Sequence, residues 1–126
     1  MMSSGAYLEI RKGDDYSYST NVTVDSTPVD LYGSYLWFQG WGDPSGNVND
    51  YQILINVSSN TGEIAVSGNN NNAVTVTLNG NVTANYQSAN VLTWVLRCQT
   101  SAGKVYTLDH GLACIKDSLV AQPWST

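Results

Sequence analysis

The sequence predicts an all-β sandwich or small barrel, and three observations carry that expectation. Segments alternating apolar and polar residues recur along the chain. Turn chemistry separates them at short intervals. The composition is poor in helix formers and rich in residues that fit a pleated surface. Of 126 residues only 12% are charged, about half the usual quarter, while 42% are hydrophobic, with four Trp and eight Tyr. That balance argues against a helical bundle or coiled coil. The aromatic and Val content argues against disorder, and the longest apolar runs fall short of a membrane span. Five basic residues against ten acidic ones give a net charge of -5. Such a surface offers no phosphate-reading face, so neither nucleic acid nor membrane is an expected partner.

The elements follow in order. Residues 7–12 (YLEIRK) read as a short strand closed by Gly13-Asp14-Asp15. Residues 16–24 alternate, with Tyr16, Tyr18, Thr20, Val22 and Val24 on one face. Asp25-Ser26-Thr27-Pro28 is turn chemistry. Pro28 fixes φ and makes Thr27 extended. Val29 and Leu31 point inward, Asp30 can accept backbone N–H bonds, and Gly33 supplies a positive φ. Residues 35–41 (YLWFQGW) form an aromatic strand and 42–50 (GDPSGNVND) a loop. Residues 51–57, 63–67 and 73–78 extend again, the last two joined by a polar tip of Gly68 and four Asn, best read as solvated. Residues 81–86 suit one helical turn. Residues 91–100 (VLTWVLRCQT) are expected to be the longest strand, with Leu92, Trp94, Leu96 and Cys98 on one face. After the loop 101–104, residues 105–108 and 111–115 complete the sheet. The chain thus reads as one domain over 1–126, with a core over 7–116 and a tail over 117–126 that contains Pro123.

Candidate chemistry is sparse. His110 is the only histidine and follows Asp109. Neighbours in a strand point to opposite faces, so the pair is not expected to form a catalytic dyad, and no serine sits in a nucleophile-elbow sequence. A bend or bulge near Gly111 is the favoured role for His110. With Thr100 opposite Val105, Cys98 faces about Thr107 and Cys114 lies near Leu92. That separation is too large for a disulfide, so both thiols are expected to be free. The loop 43–50 spaces oxygen side chains but lacks the central Gly and bidentate Glu of an EF-hand, so no metal is assigned. Three Asn-x-Thr/Ser matches, at Asn21, Asn56 and Asn81, are expected by chance in so polar a chain. The first residues have neither a basic nor an apolar segment, which predicts cytoplasmic synthesis.

One strand stands out. Tyr35, Trp37, Gln39 and Trp41 share a face, while Leu36 and Phe38 lie on the other. A strand apolar on both faces needs cover on both sides. The outer face therefore predicts a partner surface, with Trp37 and Trp41 as anchors. The bland alternative puts Trp37 in the core and Trp41 at its edge. Trp124 in the tail is a third candidate anchor. Asp43 and Asn47 in one polar loop, and Asn70 and Asn71 in the other, are secondary candidates.

These pieces and their order carry a family resemblance. Residues 10–16 (IRKGDDY) open it, followed by the alternating strand. Pro28-Val29-Asp30-Leu31-Tyr32-Gly33 and the strand at 35–38 come next. Gly62-Glu63-Ile64 and residues 74–78 (VTVTL) follow in mid-chain. Residues 102–107 (AGKVYT) and Gly111 close it. Together they resemble the immunoglobulin-like domain at the N-terminus of the upper baseplate protein family of tailed bacteriophages. Tyr32 departs from the Thr or Ser usual in that pattern. The resemblance implies an immunoglobulin-like antiparallel β-sandwich of about eight or nine short strands. It also implies a non-enzymatic structural accessory of the virion without a cofactor, made in the host cytoplasm. As a head decoration protein or a tail or baseplate component, it would adhere to capsid, tail or baseplate proteins, with self-association open to it. The rival reading is a carbohydrate-binding module that stacks a sugar on the aromatic strand.

Overall fold

The period-two segments do become strands in the computed structural model, which describes residues 7–43 and 52–117. The strands are β1 (Leu8–Arg11), β2 (Tyr16–Asn21), β3 (Thr23–Val24), β4 (Thr27–Pro28) and β5 (Tyr35–Gly42), then β6 (Gln52–Ser58), β7 (Ile64–Ser67) and β8 (Ala73–Leu78). A single helical turn, α1 (Gly80–Thr83), precedes β9 (Ala89–Gln99) and β10 (Val105–Lys116). One sheet has the order β1-β10-β9-β5-β6 and a second has β2-β8-β7; β3 and β4 form a small separate hairpin.

Alternation explains what lies between the two sheets. Leu36 and Phe38 of β5, Leu92, Trp94, Leu96 and Cys98 of β9, and Tyr18, Val74, Val76 and Leu78 of the second sheet are all buried. At the centre, Tyr18 meets Trp94 edge-on at 5.0 Å, and Phe38 stacks on Trp94 at 5.5 Å. Such geometry adds about 0.5–1.5 kcal/mol per pair beyond the area buried. The Trp94 indole N–H donates to the Leu112 carbonyl at 3.1 Å. The buried indole therefore keeps a partner within its own sheet.

Several expectations hold at the level of single atoms. Gly33 has φ 80°, the Tyr32 N–H donates to Asp30 Oδ1 at 2.9 Å, and Leu31 is buried. The helical turn lies close to its expected place. Its Thr83 hydroxyl donates to the Asp14 carbonyl at 2.8 Å and accepts the Gly13 N–H at 3.0 Å. These bonds fasten the β1–β2 turn to α1.

Other expectations are corrected. The strand expected over 16–24 stops at Asn21, because the Val22 N–H donates to the Asn72 carbonyl at 2.9 Å and the Val22 carbonyl accepts the Val29 N–H at 3.0 Å. Val24 then lies exposed in β3, and Asp25 and Ser26, with φ 51° and 68°, make a two-residue hairpin turn. The Asn run is not simply a solvated tip. Asn71, at φ 54°, accepts the Leu31 N–H at 2.9 Å through its carbonyl. The longest strand is β10, which runs unbroken through His110 because a bulge between Thr107 and Asp109 absorbs the irregularity. β1 pairs with β10 in parallel, since the intervening chain leaves the pair free of the tight connection that an antiparallel hairpin has.

Candidate functional site

The outer face of the five-stranded sheet can be built rung by rung, because directly paired residues point to the same side. Tyr35, Gln99 and Val105 form the first rung, and Trp37, Ser58, Arg97 and Thr107 the second. The third joins Gln39, Asn56, Val95 and His110, and the fourth joins Trp41, Ile53, Thr93 and Leu112. Trp37 is thus on the outer face and not in the core, which takes Trp94 in its place.

The face has two chemically different ends. At the fourth rung Ile53 and Leu112 are 51% and 53% exposed, and Val91 beyond them is 60% exposed. With half-buried Trp41 they form an apolar end. At the first three rungs the rings of Tyr35 and Trp37 stack at 5.4 Å with 29° between their planes. There Tyr35, Trp37, Gln39, Asn56 and Gln99 line a shallow open depression. The Gln39 amide donates to Asn56 Oδ1 at 3.3 Å. Arg97 is the single formal charge on the four rungs, and its Nε–H donates to Thr107 Oγ1 at 3.2 Å.

The bulge in β10 sends Asp109 inward and His110 outward. Asp109 is 3% exposed and His110 is exposed, so the two side chains diverge as the alternation predicts. The Tyr18 hydroxyl donates to Asp109 Oδ2, joining the two sheets, while Asp109 Oδ1 accepts the His110 backbone N–H at 2.9 Å. Burial, and then the bond to Asp109, push the Tyr18 phenol well above its ordinary range. Cys98 and Cys114 are both free and buried. Cys98 stands opposite Tyr106, one residue away from the expected Thr107, and burial pushes its thiol up.

The remaining candidates scatter. Asp43 is 5% exposed, so it is part of the packed structure where an exposed loop residue was expected. Asn70 is exposed in the turn between β7 and β8, and Asn71 is half-buried there; both belong to the opposite sheet from Trp37 and Trp41. Trp124 and Asn47 lie outside the described residues. Pro28, Asp30 and Gly33 shape the approach to β5. Sequence reasoning missed Ile53, Asn56, Gln99 and Leu112 as members of the outer face. Their alternation within each strand was the available signal, but only cross-strand register brings them beside Trp37 and Trp41. Among the described residues no group of three or more His, Cys, Asp or Glu is placed to hold a metal ion.

No protein-family model and no curated protein matches the chain. Solved structures do. A crystal structure of a chicken TCR matches with a TM-score of 0.52 at 10% identity, covering 93% of this chain and 56% of the TCR chain. The chain thus spans little more than half the length of that relative. A structure of murine CRIg matches at 11% identity with a TM-score of 0.41, covering 93% of this chain and 96% of the other. The TCR likeness speaks for the fold alone: the chain is an immunoglobulin-like β-sandwich. Antibody domains of this fold pack a Trp against a disulfide that joins the two sheets. Here Tyr18 and Trp94 face each other across the sheets, with Phe38 stacked alongside.

Proposed function

We propose that the protein is a non-catalytic adhesion module that docks onto other proteins through the outer face of its five-stranded sheet. In this reading it is a structural accessory of a tailed-phage virion. The observation that carries it is the apolar end of that face, where Trp41, Ile53, Leu112 and Val91 gather with no formal charge among them. A buried aromatic anchor such as Trp41 can supply a large share of the energy of a protein contact, with neighbouring side chains excluding water around it. The virion assignment rests on the resemblance carried by residues 10–16, 28–33, 74–78 and 102–107. The absence of a catalytic step is part of the same proposal, supported by the divergence of Asp109 and His110.

Imaging at side-chain resolution of the particle that carries this chain tests both parts. The expected result is a neighbouring virion protein covering Trp41, Ile53 and Leu112. A domain found in the particle with that face in solvent refutes the docking reading, and a domain absent from any particle refutes the virion reading. In solution, Leu112→Lys should weaken binding to the partner at least about tenfold, which corresponds to about 1.4 kcal/mol.

A further inference from the structure

The opposite end of the same sheet has a different chemistry, and the docking reading does not use it. Tyr35 and Trp37 supply stacked rings. Gln39, Asn56 and Gln99 supply three carboxamides around the depression that these rings line. Each carboxamide offers one acceptor oxygen and two N–H donors. The bond from Gln39 to Asn56 engages one donor and one acceptor site, and holds the two amides side by side. The Gln99 amide donates to the Gly103 carbonyl at 3.4 Å, which ties it to the loop beside Tyr35. No residue lining the depression carries a formal charge.

A ligand suited to this lining has an apolar face for the rings and a rim of neutral hydroxyls for the amides. Peptides offer no such regular rim of hydroxyls, and the one cation bordering the depression, Arg97, is outside its lining and donates through Nε–H to Thr107 Oγ1. We propose that this depression binds a neutral sugar ring, with C–H groups against the open side of the Tyr35–Trp37 stack and vicinal hydroxyls hydrogen-bonded to Gln39, Asn56 and Gln99. The depression is open and shallow, so affinity is modest and specificity comes from hydroxyl stereochemistry. This proposal goes beyond the docking reading and stands independently of it, since the two use opposite ends of the face.

The test titrates the full chain with neutral glucan, mannan and galactan tetrasaccharides, read by calorimetry and by the indole N–H resonances. The expected result is saturable binding of at least one of them with a Kd of about 1 mM or tighter, together with a shift of the Trp37 indole signal. Trp37→Ala and Gln39→Ala should each weaken binding about tenfold or more, while Trp41→Ala leaves it unchanged. Gln39→Ala removes one half-buried amide without altering the aromatic pair, so it separates lost binding from lost folding; circular dichroism of each variant verifies this. Absence of binding by all three sugars at about ten times that Kd overturns the proposal, as does binding that survives Gln39→Ala or is lost with Trp41→Ala. Failure here leaves Leu112→Lys as a separate measure of the docking surface.

Discussion

Replacing Tyr18 by Phe removes one oxygen from the centre of the sandwich and little else. The ring keeps its edge-on contact with Trp94 at 5.0 Å and its tilted contact with Phe38 at 6.3 Å. What disappears is the hydroxyl that donates to Asp109 Oδ2 across the two sheets. Asp109, 3% exposed, then keeps only the His110 N–H at 2.9 Å on its other oxygen among the bonds described above. A buried acceptor stripped of its donor costs about 1–3 kcal/mol, and more when it is ionised. We take about 2 kcal/mol for Tyr18→Phe. With an unfolding entropy of about 2.1 cal/mol/K per residue, that lowers the Tm of a chain this long by about 8 °C.

Urea unfolding should show a lower midpoint with an unchanged slope, the mark of lost stability without a changed denatured state. A double-mutant cycle with Asp109→Asn should give a coupling of about 1 kcal/mol or more. The pH dependence fixes the sign independently. The Tyr18 phenol is raised in the folded state, so its contribution is fully present below the ordinary tyrosine value of about 10. It is lost as pH rises from there through the higher folded value, because the unfolded chain gives up this proton first. The stability gap between wild type and Tyr18→Phe should therefore be level from about pH 7 to 9 and shrink above about pH 10. A gap under about 0.5 kcal/mol at neutral pH, within the range of an ordinary surface substitution, would falsify the account of an inter-sheet pin, and so would a gap that stays level through pH 11.

Two further predictions concern packing. Gly80→Ala places a Cβ 2.6 Å from the Gly13 carbonyl oxygen, a backbone atom that cannot swing away. It should cost about 1–3 kcal/mol in urea unfolding, and a neutral result would mean that the β1–β2 turn is not fastened there. Cys98 and Cys114 should both titrate with a thiol reagent in denatured, unreduced protein, and neither should react quickly in the folded state, where both are buried; detection of no thiol after denaturation would mean a disulfide.

Local signals carried most of the strand assignments because period two is written into single segments. The step from Pro28 to Gly33 was legible down to its Asx bond and its positive φ, since both depend only on residues within the step. The end of β2 at Asn21 was not legible. It is set by the bonds of Val22 to Asn72 and Val29, partners far away in sequence. The one-residue error opposite Cys98 has a similar origin. Closure of the loop by the Thr100 N–H on the Lys104 carbonyl at 2.8 Å pairs Gln99, not Thr100, with Val105. The aromatic strand announced Trp37 and Trp41, but the amides and aliphatic residues beside them come from β6, β9 and β10. No single strand contains that information.

Charge is unevenly spread over the five-stranded sheet. Glu9, Arg11 and Lys116 lie where β1 meets the end of β10, and there Arg11 pairs with Glu9 at 2.9 Å and Lys116 approaches Glu9 at 3.9 Å. Across the four outer rungs Arg97 stands alone. This division has an energetic consequence. Covering a charged face strips ions of water and requires a matching charge at each position. Covering amides, hydroxyls and aromatic rings costs far less, because each polar group needs only one neutral hydrogen-bond partner. A face of this composition can be buried against a ligand at lower cost than a charged one. Its two ends then call for different occupants. Trp41, Ile53 and Leu112 gain from any close-packed apolar surface, whereas the carboxamides beside Trp37 gain only when their hydrogen bonds are replaced one for one.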